Sequence, residues 1–158
     1  KGLTRVARAG NKAPRIAETP SGILNSVGLQ NPGVEYFRDH TMPELAKFDT
    51  NVIANMSGNT VEEYCEMAQI LSETDAAVIE MNVSCPNVKH GGLAFGTDPK
   101  TVYELTKKVK EVSKKPLVVK LSPNVTSITD IAKAAEEGGA DGLSLINTLL
   151  GMKRVCRL

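Results

Sequence analysis

Asn82-Val83-Ser84-Cys85-Pro86-Asn87 sets a thiol between two carboxamides. It follows the apolar run Ala76-Ala77-Val78-Ile79-Glu80-Met81 and precedes the loop Val88-Lys89-His90-Gly91-Gly92. Carboxamides both donate and accept, so two of them can orient a planar polar ligand. A free thiol titrates near ~8.5 and can take a proton near neutrality with little tuning. The combination points to redox or proton chemistry on a small heterocycle or acid. The bland alternative for Cys85 is a small buried hydrophobe. The flanking amides, the glycine-rich loop and Pro86, which biases Cys85 to an extended backbone, favour the chemical role. Gly91-Gly92 and Gly96 would let the following loop move as a lid.

Lys120 stands inside the apolar run Val118-Val119-Lys120-Leu121. A lysine in such a place must pair or lose its charge. It is a structural ion-pair partner, a Schiff-base amine, or a cation beside an electron-rich cofactor, and the sequence alone does not separate the two functional readings. Asn25 adds an amide in a Gly/Pro-punctuated loop running to Gly33, where a simple turn is the better reading of the loop taken alone. Cys65 falls on the inward face of a helical pattern and reads as packing. Lys107, Lys108, Lys110, Lys114 and Lys115 read as a solvated helix face.

The elements around these residues alternate. Asn51–Ala54, ending at Asn55, Ala76–Met81, Pro116–Leu121 and Gly142–Asn147 read as strands, and Lys1–Thr4 as the tail of an earlier one. Between them, Asn59 or Thr60 caps a helix with Glu62 and Glu63 in its first turn. Thr97-Asp98-Pro99 opens another, and Ile128–Glu137 is a third, stopped by Gly138-Gly139. Gly33–Phe48 has a helical pattern that Pro43 should split. Strands and helices alternating over short loops predict an α/β parallel sheet. Asn55, Asn82, Lys120 and Asn147 all fall at or near C-terminal strand ends. Polar groups spread over several strand ends favour an incomplete (β/α)8 TIM barrel, about five of eight strands, whose mouth holds the site. No G-x-G-x-x-G follows a strand, so a Rossmann site is not supported.

Composition narrows the classes further. The 158 residues are 41% hydrophobic with a formal charge of +1, and there is no Trp. Neither a basic footprint nor a stacking platform for nucleic acid is present. No apolar run approaches the ~18 residues of a membrane span. Cys65, Cys85 and Cys156 are odd in number and lack CxxC spacing, which argues against disulfides or zinc and for a reducing cytoplasm. His40 and His90, the only histidines, offer little to a metal site or a triad. The chain opens without Met and ends without a closing element, so it is expected to be a piece of a longer protein: residues 1–152 as a partial barrel carrying the cofactor and substrate sites, and 153–158 as an atypical tail.

Several motifs in order resemble class 1 dihydroorotate dehydrogenases: Lys1-Gly2, the Asn25–Gly33 loop, Asn82–Asn87, Val119–Asn124 and Asn147–Met152. The stretch Thr148–Met152 is most like the class 1B, NAD-linked catalytic subunit. The resemblance covers roughly Lys1 to Met152. It implies an FMN-containing barrel that oxidises (S)-dihydroorotate to orotate in pyrimidine biosynthesis. Carried over by motif, Cys85 is the base that removes the C5 proton while the C6 hydride passes to N5 of FMN. Lys1, Asn25, Val27, Gly28, Leu29, Asn82, Asn147 and Thr148 surround the substrate, joined by Asn87. Lys1, Gly2, Asn55, Asn82, Lys120 and Ile146 contact FMN. The resemblance thus favours the flavin cation over the Schiff base at Lys120. It also implies a homodimer joined by an electron-transfer subunit, a heterotetramer in which the partner carries FAD and an iron–sulfur cluster and passes electrons to NAD. Three scattered cysteines could not hold such a cluster here.

Two departures stand out. The family's first strand and its later phosphate-holding strands are absent, and Lys153–Leu158 does not look like the family's continuation and is read as the product of a frameshift or an artefact. The piece alone is expected to be inactive. Rival readings are a fumarate-linked class 1A enzyme, a Schiff-base lyase using Lys120, and a non-catalytic barrel fragment.

Overall fold

Period-2 alternation decides the architecture. The computed structural model describes residues 2–84 and 95–152. In chain order its elements are the antiparallel pair β1 (Ile16–Thr19) and β2 (Gly22–Asn25), α1 (Val34–Tyr36), a π-turn (Phe37–Thr41), α2 (Met42–Leu45), β3 (Ile53–Met56), α3 (Val61–Ser72), β4 (Val78–Asn82), a 3-10 turn (Phe95–Thr97), α4 (Pro99–Val112), β5 (Leu117–Leu121), α5 (Ile128–Glu137) and β6 (Gly142–Leu145). β3, β4, β5 and β6 form one parallel sheet in sequence order.

Successive side chains of a strand point to opposite faces. On one face Ala54, Met56, Ile79, Met81, Leu117, Val119 and Leu121 are buried. They lie in one core with Tyr64, Met67, Ala68 and Leu71 of α3, Val102, Leu105 and Val109 of α4, and Ile131, Ala134 and Ala135 of α5. Burying each large aliphatic side chain contributes ~1.5–3 kcal/mol, so this face fixes the strand register. The opposite face carries Asn55, Glu80, Asn82, Lys120 and Ser144, all partly buried. Register pairs Asn55 with Glu80, Asn82 with Lys120, and Lys120 with Ser144. A one-residue slip would drive these polar groups under the helices, so the pattern excludes it.

The helices begin where their caps say. Thr60 Oγ1 accepts from the Glu63 N–H (3.2 Å), Asp98 Oδ2 from the Thr101 N–H (2.8 Å) with Pro99 in the first turn, and Ser127 Oγ from the Asp130 N–H (3.4 Å). Each cap satisfies a donor that the helix itself leaves free.

Three expectations need correction. The five strands resolve into four, plus a single parallel bridge from Leu3 to Met56, closed by Leu3 N–H to Asn55 O and Ser57 N–H to Leu3 O, both 2.8 Å. Pro43 does not split its helix. The Met42 N–H reaches back to Phe37 O, a π-turn, and the wider turn lets the chain stay helical from Val34 to Leu45. β6 stops at Leu145, so Asn147 lies beyond the strand. The β1–β2 hairpin was not anticipated: Ile16 and Ile23 are 60% and 66% exposed, so its residues carry no alternation to read.

Candidate active site

The polar face of the sheet opens into a cleft of about 410 Å³. β3 supplies Asn55 and, just past its end, Ser57. β4 supplies Glu80 and Asn82, with Ser84 following. β5 supplies Lys120, and Asn147 and Thr148 arrive from beyond β6. Gly2 closes one side, and Asn25, Val27, Gly28 and Leu29 another. All the site residues expected from the sequence within the described region therefore meet here except Ile146, which is 47% exposed and outside the lining. Lys1, Cys85, Asn87, the Gly91-Gly92 lid and the 153–158 tail lie outside the described residues.

The amides are held in definite senses. Asn82 Oδ1 accepts from the Ser84 N–H (3.0 Å), which turns its NH2 toward Asn147 Oδ1 at 3.4 Å. The backbone carbonyl of Asn82 accepts from Tyr64 Oη (2.6 Å) and Ser57 Oγ (3.3 Å), so the end of β4 is anchored to α3 and to the segment after β3. Asn55 donates from Nδ2 to Glu80 Oε2 (2.5 Å), and Ser144 Oγ donates to Glu80 Oε1 (2.7 Å). Lys120 has no carboxylate within 4.0 Å among the described residues, although Glu80 shares its face of the sheet.

The loop bearing Val27, Gly28 and Leu29 is shaped from behind. Gly28 and Leu29 both have positive φ (75° and 54°), a conformation disfavoured for leucine by ~1–2 kcal/mol. Asn31 offsets that cost. It is buried, donates from Nδ2 to Leu29 O (2.8 Å), and accepts at Oδ1 from the N–H groups of Thr4 (3.1 Å) and Gly33 (2.9 Å). Asn124 does the same for the opposite rim. Its Nδ2 donates to Thr148 O (3.2 Å) and its Oδ1 accepts from the Leu150 N–H (3.0 Å). A second, more apolar cavity of about 450 Å³ adjoins the cleft between the hairpin and Thr148–Gly151, and shares Asn25 and Thr148 with it.

Sequence reasoning missed Glu80, Ser57, Ser84 and Ser144. Glu80 was open to detection: it stands in phase with Asn82 within an apolar strand, the same signal that picked out Lys120. Ser144 carries it too, between Leu143 and Leu145 of β6, whereas Ser57 and Ser84 lie past their strands and carry none. Cys65, on α3, is half-buried against the core, and burial pushes its thiol up from the ordinary value, as expected of a packing cysteine. Among the described residues no group of three or more His, Cys, Asp or Glu side chains is placed to hold a metal ion, and no helix is long and apolar enough to cross a membrane.

A parallel β/α wall with carboxamides and one lysine gathered at its C-terminal strand ends defines a (β/α)-barrel protein with its ligand site at the barrel mouth. The chain belongs to the dihydroorotate dehydrogenase family, whose model it matches over residues 1–157. It is similar to curated proteins named dihydroorotate dehydrogenase B (NAD(+)), catalytic subunit. That of Alkaliphilus metalliredigens is 58% identical over 152 residues, 96% of this chain and 50% of the relative. That of Desulforamulus reducens is 60% identical over 153 residues, with the same coverages. That of Bacteroides thetaiotaomicron is 57% identical over 153 residues, again 96% and 50%. The chain thus spans about half the length of the curated relatives it matches.

Proposed function

We propose that the full-length protein carrying this chain oxidises (S)-dihydroorotate to orotate with FMN, as the NAD-linked class 1B catalytic subunit of pyrimidine biosynthesis. The observation that carries the reading is the convergence of Asn55, Asn82, Lys120 and Asn147 on one cleft with Gly2 and the Asn25–Leu29 loop. Amides of opposed polarity suit a ring that alternates N–H and C=O groups.

The donor set fits a flavin. A Cβ on Gly2 would sit 2.6 Å from Asn55 Oδ1 and 3.0 Å from Leu29 Cδ1, so only glycine lets the backbone close on the cleft there. Gly2, Asn55, Asn82 and Lys120, with Lys1, would hold the cofactor. FMN, when bound, supplies the hydride acceptor. Lys120 holds a positive charge where negative charge develops during transfer. Asn82 and Asn147, with Asn25, Val27, Gly28, Leu29 and Thr148, orient the substrate ring, joined by Asn87. Lys1 pairs with its carboxylate. Cys85, one residue past Ser84 at the cleft wall, takes the C5 proton.

The relatives' shared name supports NAD over fumarate as the final acceptor and a separate electron-transfer subunit, for which we assign FAD and an iron–sulfur cluster. A heterotetramer built on a catalytic homodimer, working in a reducing cytoplasm, completes the proposal.

The test is spectroscopic. The purified full-length protein should show a bound-flavin spectrum that dihydroorotate bleaches under anaerobic conditions. NAD should restore it only when the partner subunit is present. A colourless protein, or reoxidation by fumarate alone, would contradict the assignment.

A further inference from the structure

Glu80 is the one carboxylate of the described cleft lining. Both of its contacts are donors: Asn55 Nδ2 on β3 at Oε2 and Ser144 Oγ on β6 at Oε1. The two strands stand on either side of β4 and β5, so one side chain ties three strands across the floor of the cleft. A carboxylate accepts hydrogen bonds and never donates, so only the NH2 side of the Asn55 amide can face it. The amide oxygen must then point the other way, and it does: it lies on the Gly2 side, where a Cβ on Gly2 would meet it at 2.6 Å. Asn82 is set in the reverse sense, its oxygen spent on the Ser84 N–H.

We propose that Glu80 is a positioning residue that fixes Asn55 as a hydrogen-bond acceptor in the cleft, so that this wall selects a ring N–H. This rests on the flavin-and-dihydroorotate reading above and adds the residue that sets the polarity of one wall. Without Glu80 the amide can rotate and offer N–H instead, against a ligand group that also donates.

The experiment measures FMN affinity of the full-length protein by quenching of free-flavin fluorescence, with thermal melting followed by circular dichroism. Glu80→Ala should weaken FMN binding about tenfold, the worth of one well-made hydrogen bond. Glu80→Gln should recover most of the loss, because its amide oxygen still accepts from Asn55 and its NH2 can donate to Ser144. Asn55→Asp sets two carboxylates against each other and should also cost about tenfold or more. The swapped pair Asn55→Asp with Glu80→Gln restores one donor facing one acceptor, keeps the net charge, and leaves an oxygen toward Gly2. It should return to within about threefold of the starting affinity. A swapped pair no better than Asn55→Asp alone, folded or not, overturns the proposal. So does a Glu80→Ala protein that binds FMN as the unaltered protein does. Unaltered protein that binds no flavin sinks the functional reading and this inference with it, whereas normal binding with a failed swap sinks only the role of Glu80.

Discussion

Asn82 Nδ2 and Asn147 Oδ1 face each other at 3.4 Å, joining the end of β4 to the segment beyond β6 across the intervening strand. The contact is long for a hydrogen bond. It places two amides where a ring inserted between their outer edges can be held by both.

Replacing Asn147 by Ala removes the acceptor that steadies the Asn82 NH2 and, on the proposed function, one contact to the substrate ring. We expect orotate affinity to fall about tenfold, measured by titrating the bound-flavin spectrum, with little change in melting temperature because Asn147 lies outside the core. A large drop in melting temperature with unchanged orotate affinity would make the pair structural.

Lys120 is a sharper case, because the described residues give it no carboxylate partner. Lys120→Met should make the flavin's two-electron potential more negative by ~30 mV or more, the equivalent of a tenfold loss in stabilising the reduced form. Redox titration against a reference dye reads this directly. The competing amine role predicts instead that borohydride traps a substrate adduct on Lys120, and such an adduct would overturn the flavin-cation assignment.

Acid stability follows from two aspartates. Asp141 is held below the usual carboxylate range by the Lys110 ammonium (2.5 Å) and then by the Leu117 N–H (2.6 Å). Asp98 is lowered by the Thr101 hydroxyl (2.7 Å) and then by its N–H (2.8 Å). A depressed folded-state value stabilises the fold above the unfolded aspartate value near ~3.9 and loses that contribution as pH falls through the folded-state value. The urea midpoint should therefore be insensitive to these groups from about pH 7 to 5 and decline below ~4. Asp141→Asn should flatten part of that decline. Asp141 is 42% exposed on its side chain, so screening by solvent keeps the effect modest. An unchanged acid limb in Asp141→Asn would show that the ion pair contributes nothing.

Much of this was legible in the chain. The caps at Thr60 and Asp98 and the span Ile128–Glu137 were readable because a polar cap, an acidic or proline first turn and a 3.6-residue apolar stripe coincide there. The four parallel strands were readable from short apolar runs, and Asn55, Asn82 and Lys120 from polar residues that interrupt those runs in phase. What failed has physical reasons. The β1–β2 hairpin buries neither face, so it leaves no period. The π-turn at Phe37–Thr41 is a matter of winding that composition does not encode. The supporting bonds of Asn31 and Asn124 depend on loops brought together only by the tertiary fold.

The central claim is that proton removal and substrate binding are separate tasks at one site, the first belonging to Cys85 and the second to the amides. Rapid-mixing measurement of flavin reduction by dihydroorotate in full-length Cys85→Ala, beside its orotate affinity, tests it most directly. The account predicts a rate lower by ~10²–10⁴, the worth of a general base, with orotate binding nearly unchanged. An unchanged rate, or equal losses of rate and binding, would contradict it.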